Sequence, residues 1–243
     1  MVQQFGFKCN RGIVRTNNED ACFVIPSYDV YMVADGVGGN NSGEIASRTA
    51  VEIIAGYIRE NNIEECATPD EIFGLFTQAI DMANREVFAM GRQNPSNRGM
   101  ATTIVMTYIY EGAAYIANIG DSRAYLYRKG KMRRITRDHT YVNELIDQGL
   151  LTEEEAETHS QKNVITKALG AEPAVDPDFY RVGLAKNDVL ILCSDGLYGE
   201  VGEEVIAEHI RSGKGMSDLC ADLVNEANKA GGRDNITVVG LKI

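Results

Sequence analysis

The stretch Ala101-Thr-Thr-Ile-Val-Met-Thr-Tyr-Ile-Tyr110-Glu-Gly-Ala113-Ala-Tyr-Ile-Ala-Asn-Ile119 reads as two apolar strands joined by Glu111-Gly112. A link this short permits a tight hairpin and forbids a parallel pair, which needs a long crossover. Working outward, strand signals recur at Val30–Ala34, Ala124–Arg128, Val189–Cys193 and Ile236–Lys242. They cluster with hairpin links instead of alternating with helices one for one. The expected class is therefore α+β, with antiparallel sheets in layers, rather than a doubly wound parallel sheet.

Helix signals fill the gaps. Thr68-Pro69-Asp70-Glu71 combines an N-cap, a first-turn proline and a capping-box glutamate. Behind it Ile72, Phe76, Ala79, Ile80, Ala83 and Val87 recur at helical spacing through residue 90. Asn41 with Glu44 opens another helix to about residue 60, with Ala46, Ala50, Ile53, Ile54, Tyr57 and Ile58 on one face. A third pattern covers 217–229, and shorter ones lie near 142–148 and 152–158. No repeat, low-complexity tract or linker interrupts the chain, so 1–243 reads as a single domain.

Composition excludes several classes. The net charge of −11 argues against nucleic-acid and anionic-membrane partners, which need a positive surface. No apolar run approaches the ~20 residues of a membrane span, and the start MVQQFGFKCNRG lacks a signal-peptide pattern. Five widely spaced cysteines without a CxxC pair suit reduced thiols. A cytoplasmic monomer is expected.

The chemistry shows at strand ends. Val30–Ala34 runs into Asp35-Gly36, Ala117-Asn-Ile119 into Gly120-Asp121, and Val189–Cys193 into Ser194-Asp195-Gly196. On the last strand the order reverses, with Gly232-Arg-Asp234 just ahead of it. Taken singly, each Asp beside Gly reads as a turn. Taken together with Glu19-Asp20, they predict carboxylates converging at one sheet edge, a cluster that cations must neutralise. All these donors are hard oxygens, which suit Mg²⁺ or Mn²⁺. His139, His159 and His209 show no ligand spacing and read as structural or surface residues. Two such cations about 3.5–4 Å apart would lower the pKa of a bridging water, which suits hydrolysis of a phosphate ester with no covalent intermediate.

These residues carry a family resemblance. The chain resembles the metal-dependent protein phosphatases (the PPM, or type 2C, family), in the compact bacterial form that opposes Ser/Thr kinases. The ordered motifs are Arg15-Thr-Asn-Asn-Glu-Asp20, Asp35-Gly-Val-Gly-Gly39, Ser42-Gly-Glu-Ile-Ala-Ser47 and Gly99-Met-Ala-Thr-Thr103. They continue through Gly120-Asp-Ser-Arg123, Thr136-Arg-Asp-His139, Asn163-Val-Ile-Thr166, Ser194-Asp-Gly-Leu197 and Gly232-Arg-Asp-Asn235. The resemblance implies a four-layer α-β-β-α sandwich of two antiparallel sheets flanked by helices. It implies that Asp35 bridges two Mn²⁺ or Mg²⁺ ions, with the Gly36 carbonyl, Asp195 and Asp234 completing the direct ligands. Glu19 and Asp20 would act through metal-bound water, Asp121 would hold a third, looser ion, and Arg15 would clamp the substrate phosphate. The partners implied are phosphorylated proteins and a cognate Ser/Thr kinase, with a flap at about 138–161 covering the site.

The chain departs from the family at three places. Asn10 stands where the family has aspartate, a position read here as a structural turn. Val37 and Asn40 stand where relatives carry a histidine, so neither proposed position for a general acid holds an imidazole, and a metal-bound water would have to protonate the leaving oxygen. Two rival readings stay open. Cys9-Asn-Arg-Gly12-Ile-Val-Arg15-Thr16 matches the loop of cysteine-dependent tyrosine phosphatases, although the polar stretch after Arg15 lacks the helix that would activate Cys9. A pseudophosphatase that binds phosphoproteins without turnover is the other. The run Gly36–Gly43 fits neither a P-loop nor a dinucleotide fingerprint.

Overall fold

A computed structural model describes residues 2–39 and 42–243. Asn40 and Asn41, one of the general-acid positions and the expected helix opener, lie outside the described residues. The strands are β1 (Gln4–Asn10), β2 (Asp20–Ile25), β3 (Val30–Val37), β4 (Ala101–Thr102), β5 (Ile104–Tyr110), β6 (Ala113–Ile119), β7 (Arg123–Arg128), β8 (Lys131–Arg134), β9 (Asp178–Gly183), β10 (Val189–Cys193) and β11 (Ile236–Lys242). The helices are α1 (Ser42–Glu60), α2 (Pro69–Gln93), α3 (Tyr141–Asp147), α4 (Glu153–Thr158), α5 (Asp195–Tyr198), α6 (Glu203–Arg211) and α7 (Met216–Ala230).

The β5–β6 hairpin forms as expected. Tyr110 faces Ala113, and Glu111 and Gly112 both take positive φ (45° and 71°), the mirror-image turn whose twist matches the flanking strands. From it grows a sheet in the order β2-β3-β5-β6-β9, with β4 on β3, and every pair is antiparallel. The other sheet runs β1-β11-β10-β7-β8, again antiparallel throughout.

Strand alternation builds the layers. On β3, Tyr31 and Val33 meet Leu190 and Leu192 of β10 and Val239 and Leu241 of β11 in a core between the sheets. The intervening Val30, Met32 and Ala34 face the other way, against Ala50, Ile54 and Ile58 of α1 and Phe76 and Ile80 of α2. On the opposite side Ile191, Cys193, Ile236 and Val238 pack under Leu219, Leu223 and Val224 of α7 and Ile206 of α6. The order is helices, sheet, sheet, helices, the expected four-layer sandwich. The Thr68–Glu71 capping box closes at the start of α2, with both reciprocal hydrogen bonds present.

Two strand boundaries differ from the sequence reading. The run 101–110 is broken at Thr103, where the ladder is half made: the Thr103 N–H donates to the Asp35 carbonyl at 2.8 Å, but the Asp35 N–H donates to the Thr103 hydroxyl and not to a backbone carbonyl. Strand β3 continues through Val37, so Asp35 and Gly36 lie within the strand and do not form a turn after it.

Candidate active site

The two sheets bring their strand ends together at one pole. Asp35 of β3 lies directly opposite Asp20 of β2 in the ladder. Asp195 opens α5 at the end of β10, and Asp234 precedes β11, one strand over. Asp121 sits in the turn from β6 to β7, where Gly120 takes φ +92°. Glu19 enters β2, and Arg15 lies on the loop from β1 to β2.

Buried polar groups fix these carboxylates in place. The Ser194 hydroxyl donates to Asp20 Oδ2 at 2.7 Å and itself accepts from the Thr237 N–H at 3.0 Å. The Asp35 backbone N–H donates to Thr103 Oγ1 at 2.9 Å, and the Thr102 hydroxyl donates to the Asp35 carbonyl at 2.9 Å. Asn235 is a clamp: Oδ1 accepts from the Glu19 N–H at 2.7 Å, and Nδ2 donates to the carbonyls of Arg11 and Asn17, both at 2.8 Å. On the other flank the Tyr198 hydroxyl donates to the Asp121 carbonyl at 2.9 Å. Arg123 stacks on Tyr198 with 3.5 Å from its guanidinium carbon to the ring centroid, and grips Asp138 through Nε and Nη2. Asp121 is therefore not the partner of Arg123, which removes one structural explanation for it.

Ser194, Thr237, Thr103, Asn235 and Tyr198 had no role in the sequence reading. Ser194 and Asn235 do flank the acids at strand ends, which is the one signal that could have found them. Glycine acts here through close approach. A Cβ on Gly36 would lie 2.0 Å from the Gly43 carbonyl oxygen, and one on Gly196 would lie 1.9 Å from that of Asn235. Gly36 thus allows strand and helix backbones to touch, not a turn.

The acids perturb one another strongly. Burial pushes Asp35 well above the ordinary carboxylate range, and Asp20, Asp195, Asp121 and Asp234 add repulsion. Burial raises Asp20 to about 7 despite the Ser194 hydrogen bond, with Asp195 and Asp234 contributing. Asp121 is also raised to about 7, first by burial and then by Asp195 and Asp138. Asp195 rises through burial and the charge of Asp234, and Glu19 rises through burial although Arg15 opposes it. Arg15 pairs with Asp234 at 2.6 Å, its side chain half exposed.

Among the described residues, no three His, Cys, Asp or Glu side chains close into a ready-made ligand cluster. Asp35 and Asp195 come within hydrogen-bond reach of each other, and the remaining carboxylates act on them through their charge. The residues nonetheless fit hard cations. Every donor is oxygen, and Asp20 Oδ1 and Asp195 Oδ1 are buried without a hydrogen-bond partner.

Cys9 fits no thiolate chemistry. It lies on β1 opposite Thr237, with no helix behind it, and burial followed by the charge of Asp20 raises its pKa. It is half-buried, not fully buried as an ordinary core thiol would be. Asn10 behaves as a turn residue, its Oδ1 accepting the Gly12 N–H at 2.9 Å. His139 holds the Gly120 turn, accepting its N–H at Nδ1 at 3.0 Å.

A fold of two antiparallel sheets between helix layers, with buried acids at one pole and an arginine at its rim, defines a class of metal-dependent phosphohydrolases. The sequence model of the family described as Protein phosphatase 2C matches residues 13–238, and the chain belongs to that family. It is 36% identical over 236 residues to the serine/threonine phosphatase stp of Listeria innocua, covering 96% of this chain and 93% of that one. Among solved structures, the S. agalactiae serine/threonine phosphatase superposes with a TM-score of 0.92 at 33% identity, covering 99% of both chains. The catalytic domain of the serine/threonine protein phosphatase PstP, solved with two manganese ions, superposes with a TM-score of 0.85 at 30% identity, covering 98% of this chain and 97% of that one. The chain is thus a metal-dependent protein phosphatase of the bacterial type. No described helix is long and apolar enough to cross a membrane.

Proposed function

We propose that the chain, acting as a single catalytic domain over 1–243, removes phosphate from phosphoserine and phosphothreonine in proteins and so opposes a Ser/Thr kinase. The observation that carries this reading is the set of mutually repelling acids, Asp20 and Asp121 buried and Asp35 and Asp195 half-buried, with the Arg15 guanidinium at its rim. Asp35, the Gly36 carbonyl, Asp195 and Asp234 would hold two cations, Mn²⁺ or Mg²⁺. Glu19 and Asp20 would stand behind them, and Asp121 would hold a looser third. The chemistry such ions supply is Lewis acidity, which lowers the pKa of water and neutralises phosphoryl charge.

The chain's own groups do the rest. Arg15 presents two parallel donors to the phosphoryl oxygens, exchanging its Asp234 partner for them. That exchange is cheap, because both members of the pair are partly solvated. Ser194 and Thr103 hold the Asp20 and Asp35 strand ends while this happens. Val37 offers no proton, so the leaving oxygen takes one from water. Residues 138–161, with α3 and α4, would form the flap that meets the protein substrate, and the molecule would work as a cytoplasmic monomer.

The test is hydrolysis of p-nitrophenyl phosphate and a phosphothreonine peptide with Mn²⁺ and then with EDTA. Turnover is expected with the ion and should vanish with the chelator; full activity in EDTA overturns the reading. The same assay weighs Asp121. Its Asn variant should retain two tightly bound ions by calorimetric titration, while activity falls and half-maximal rate requires more Mn²⁺. Unchanged stoichiometry with unchanged Mn²⁺ dependence would make Asp121 structural, and loss of all binding would make it a primary ligand.

A further inference from the structure

The loop that carries Arg15 also carries two large aliphatic side chains that none of the described residues covers. Ile13 and Val14 are each 64% exposed, although they lie within two residues of the arginine. The loop is held firmly. Gly12 takes φ +79°, and a Cβ there would lie 2.1 Å from the Asp234 carbonyl oxygen. The N–H groups of Ile13 and Val14 both donate to the Gly232 carbonyl, at 2.8 and 3.1 Å. Ile13 also lines a cleft of about 560 Å³ with His209, Asn225, Asn228 and Lys229 on the α6–α7 face. Two adjacent large apolar residues exposed on a fixed loop beside a polar site offer a small apolar contact surface.

We infer that Ile13 and Val14 read the residue next to the phosphorylated serine or threonine and favour a large aliphatic side chain there. The inference rests on the phosphatase reading above. If Arg15 holds the phosphoryl group, the neighbouring residue begins only about 3.8 Å further along the substrate backbone, within reach of this loop. An aliphatic side chain laid on Ile13 and Val14 removes apolar surface from water on both partners. An acidic neighbour meets the opposite treatment. The chain as a whole carries −11, so negative flanks are disfavoured. The occupant is thus a phosphorylated segment with an aliphatic flank.

The experiment compares two phosphothreonine peptides that differ only in the residues flanking the phosphothreonine, Val and Leu in one, Ser and Gly in the other. With Mn²⁺ present, the wild-type kcat/KM should favour the aliphatic peptide by about tenfold, the low end of what one methylene is worth in a pocket, because this surface is open. In the double variant Ile13→Ser, Val14→Ser the ratio should collapse to about twofold or less, because the aliphatic peptide slows. Melting curves check that this surface change leaves the fold intact. Equal wild-type rates on the two peptides overturn the inference, as does a preference that survives the double variant. If the wild type hydrolyses neither peptide nor p-nitrophenyl phosphate, the phosphatase reading itself fails and takes this one with it.

Discussion

Asp195→Ala should lower Mn²⁺-dependent turnover of p-nitrophenyl phosphate by about a thousandfold or more, while leaving the metal-free protein no less stable. The two halves of the expectation have one cause. Asp195 is half-buried, its Oδ1 is shut off from solvent without a hydrogen-bond partner, and desolvation with the charge of Asp234 raises its pKa. A group so placed contributes little to folding unless a cation answers its charge, so its removal relieves the repulsion from Asp234 and gives up only its hydrogen bond with Asp35. The paired control is Cys9→Ser, which should stay within a few-fold of wild type. Loss of activity in a folded Cys9→Ser protein, or near-normal turnover in Asp195→Ala, would sink the assignment. Melting in EDTA supplies the stability half.

The second large effect is on stability against pH. Asp20 and Asp121 sit at about 7 in the folded chain, far above the ~3.9 of an unfolded aspartate. Between these values the folded state binds protons that the unfolded chain has released. The stabilisation is thus complete below about pH 4 and is lost as pH rises through about 7. Both groups are buried, so the metal-free Tm should fall by on the order of 10 °C between pH 5 and 8. His139, whose pKa burial and then the charge of Lys167 lower, pulls the other way, but it is a single group. Mn²⁺ should restore the loss, raising Tm more at pH 8 than at pH 5.5. A flat or rising metal-free Tm across that window would show that the acids are not mutually strained.

Much of this architecture was legible in the sequence, and the parts that were not share a cause. Helices α1, α2 and α7 announce themselves because each buries one long periodic face, and the hairpin 101–119 because its strands are buried on both faces and read as near-continuous apolar runs. Strands β1 and β8 do not, because they are edge strands with mostly exposed or half-buried side chains, and the four residues of β8 are Lys-Met-Arg-Arg. The short edge strands β2 and β9 are half-buried along most of their length and show no clean alternation. Helix α6 was missed because nine residues with three buried positions give too short a pattern. At the site the acids were readable from strand-end position, but the hydroxyls that hold them were not. Ser194 and Thr103 look like ordinary loop and strand residues until the fold brings Asp20 and Asp35 to them.

The pole is also a seam. Asp20, Asp35 and Gly36 ride on one sheet with its helices, whereas Asp195 and Asp234 ride on the other. Arg15 and Asp121 sit on two of the segments where the chain passes from one sheet to the other. The span across the seam is therefore governed by the thickness of the side-chain layer formed by Tyr31, Val33, Leu190, Leu192 and Val239. That layer works as a spacer gauge. Its methyl groups calibrate the gap between acids they never touch, and a change of volume deep inside it is transmitted outward as a change of bite at the rim.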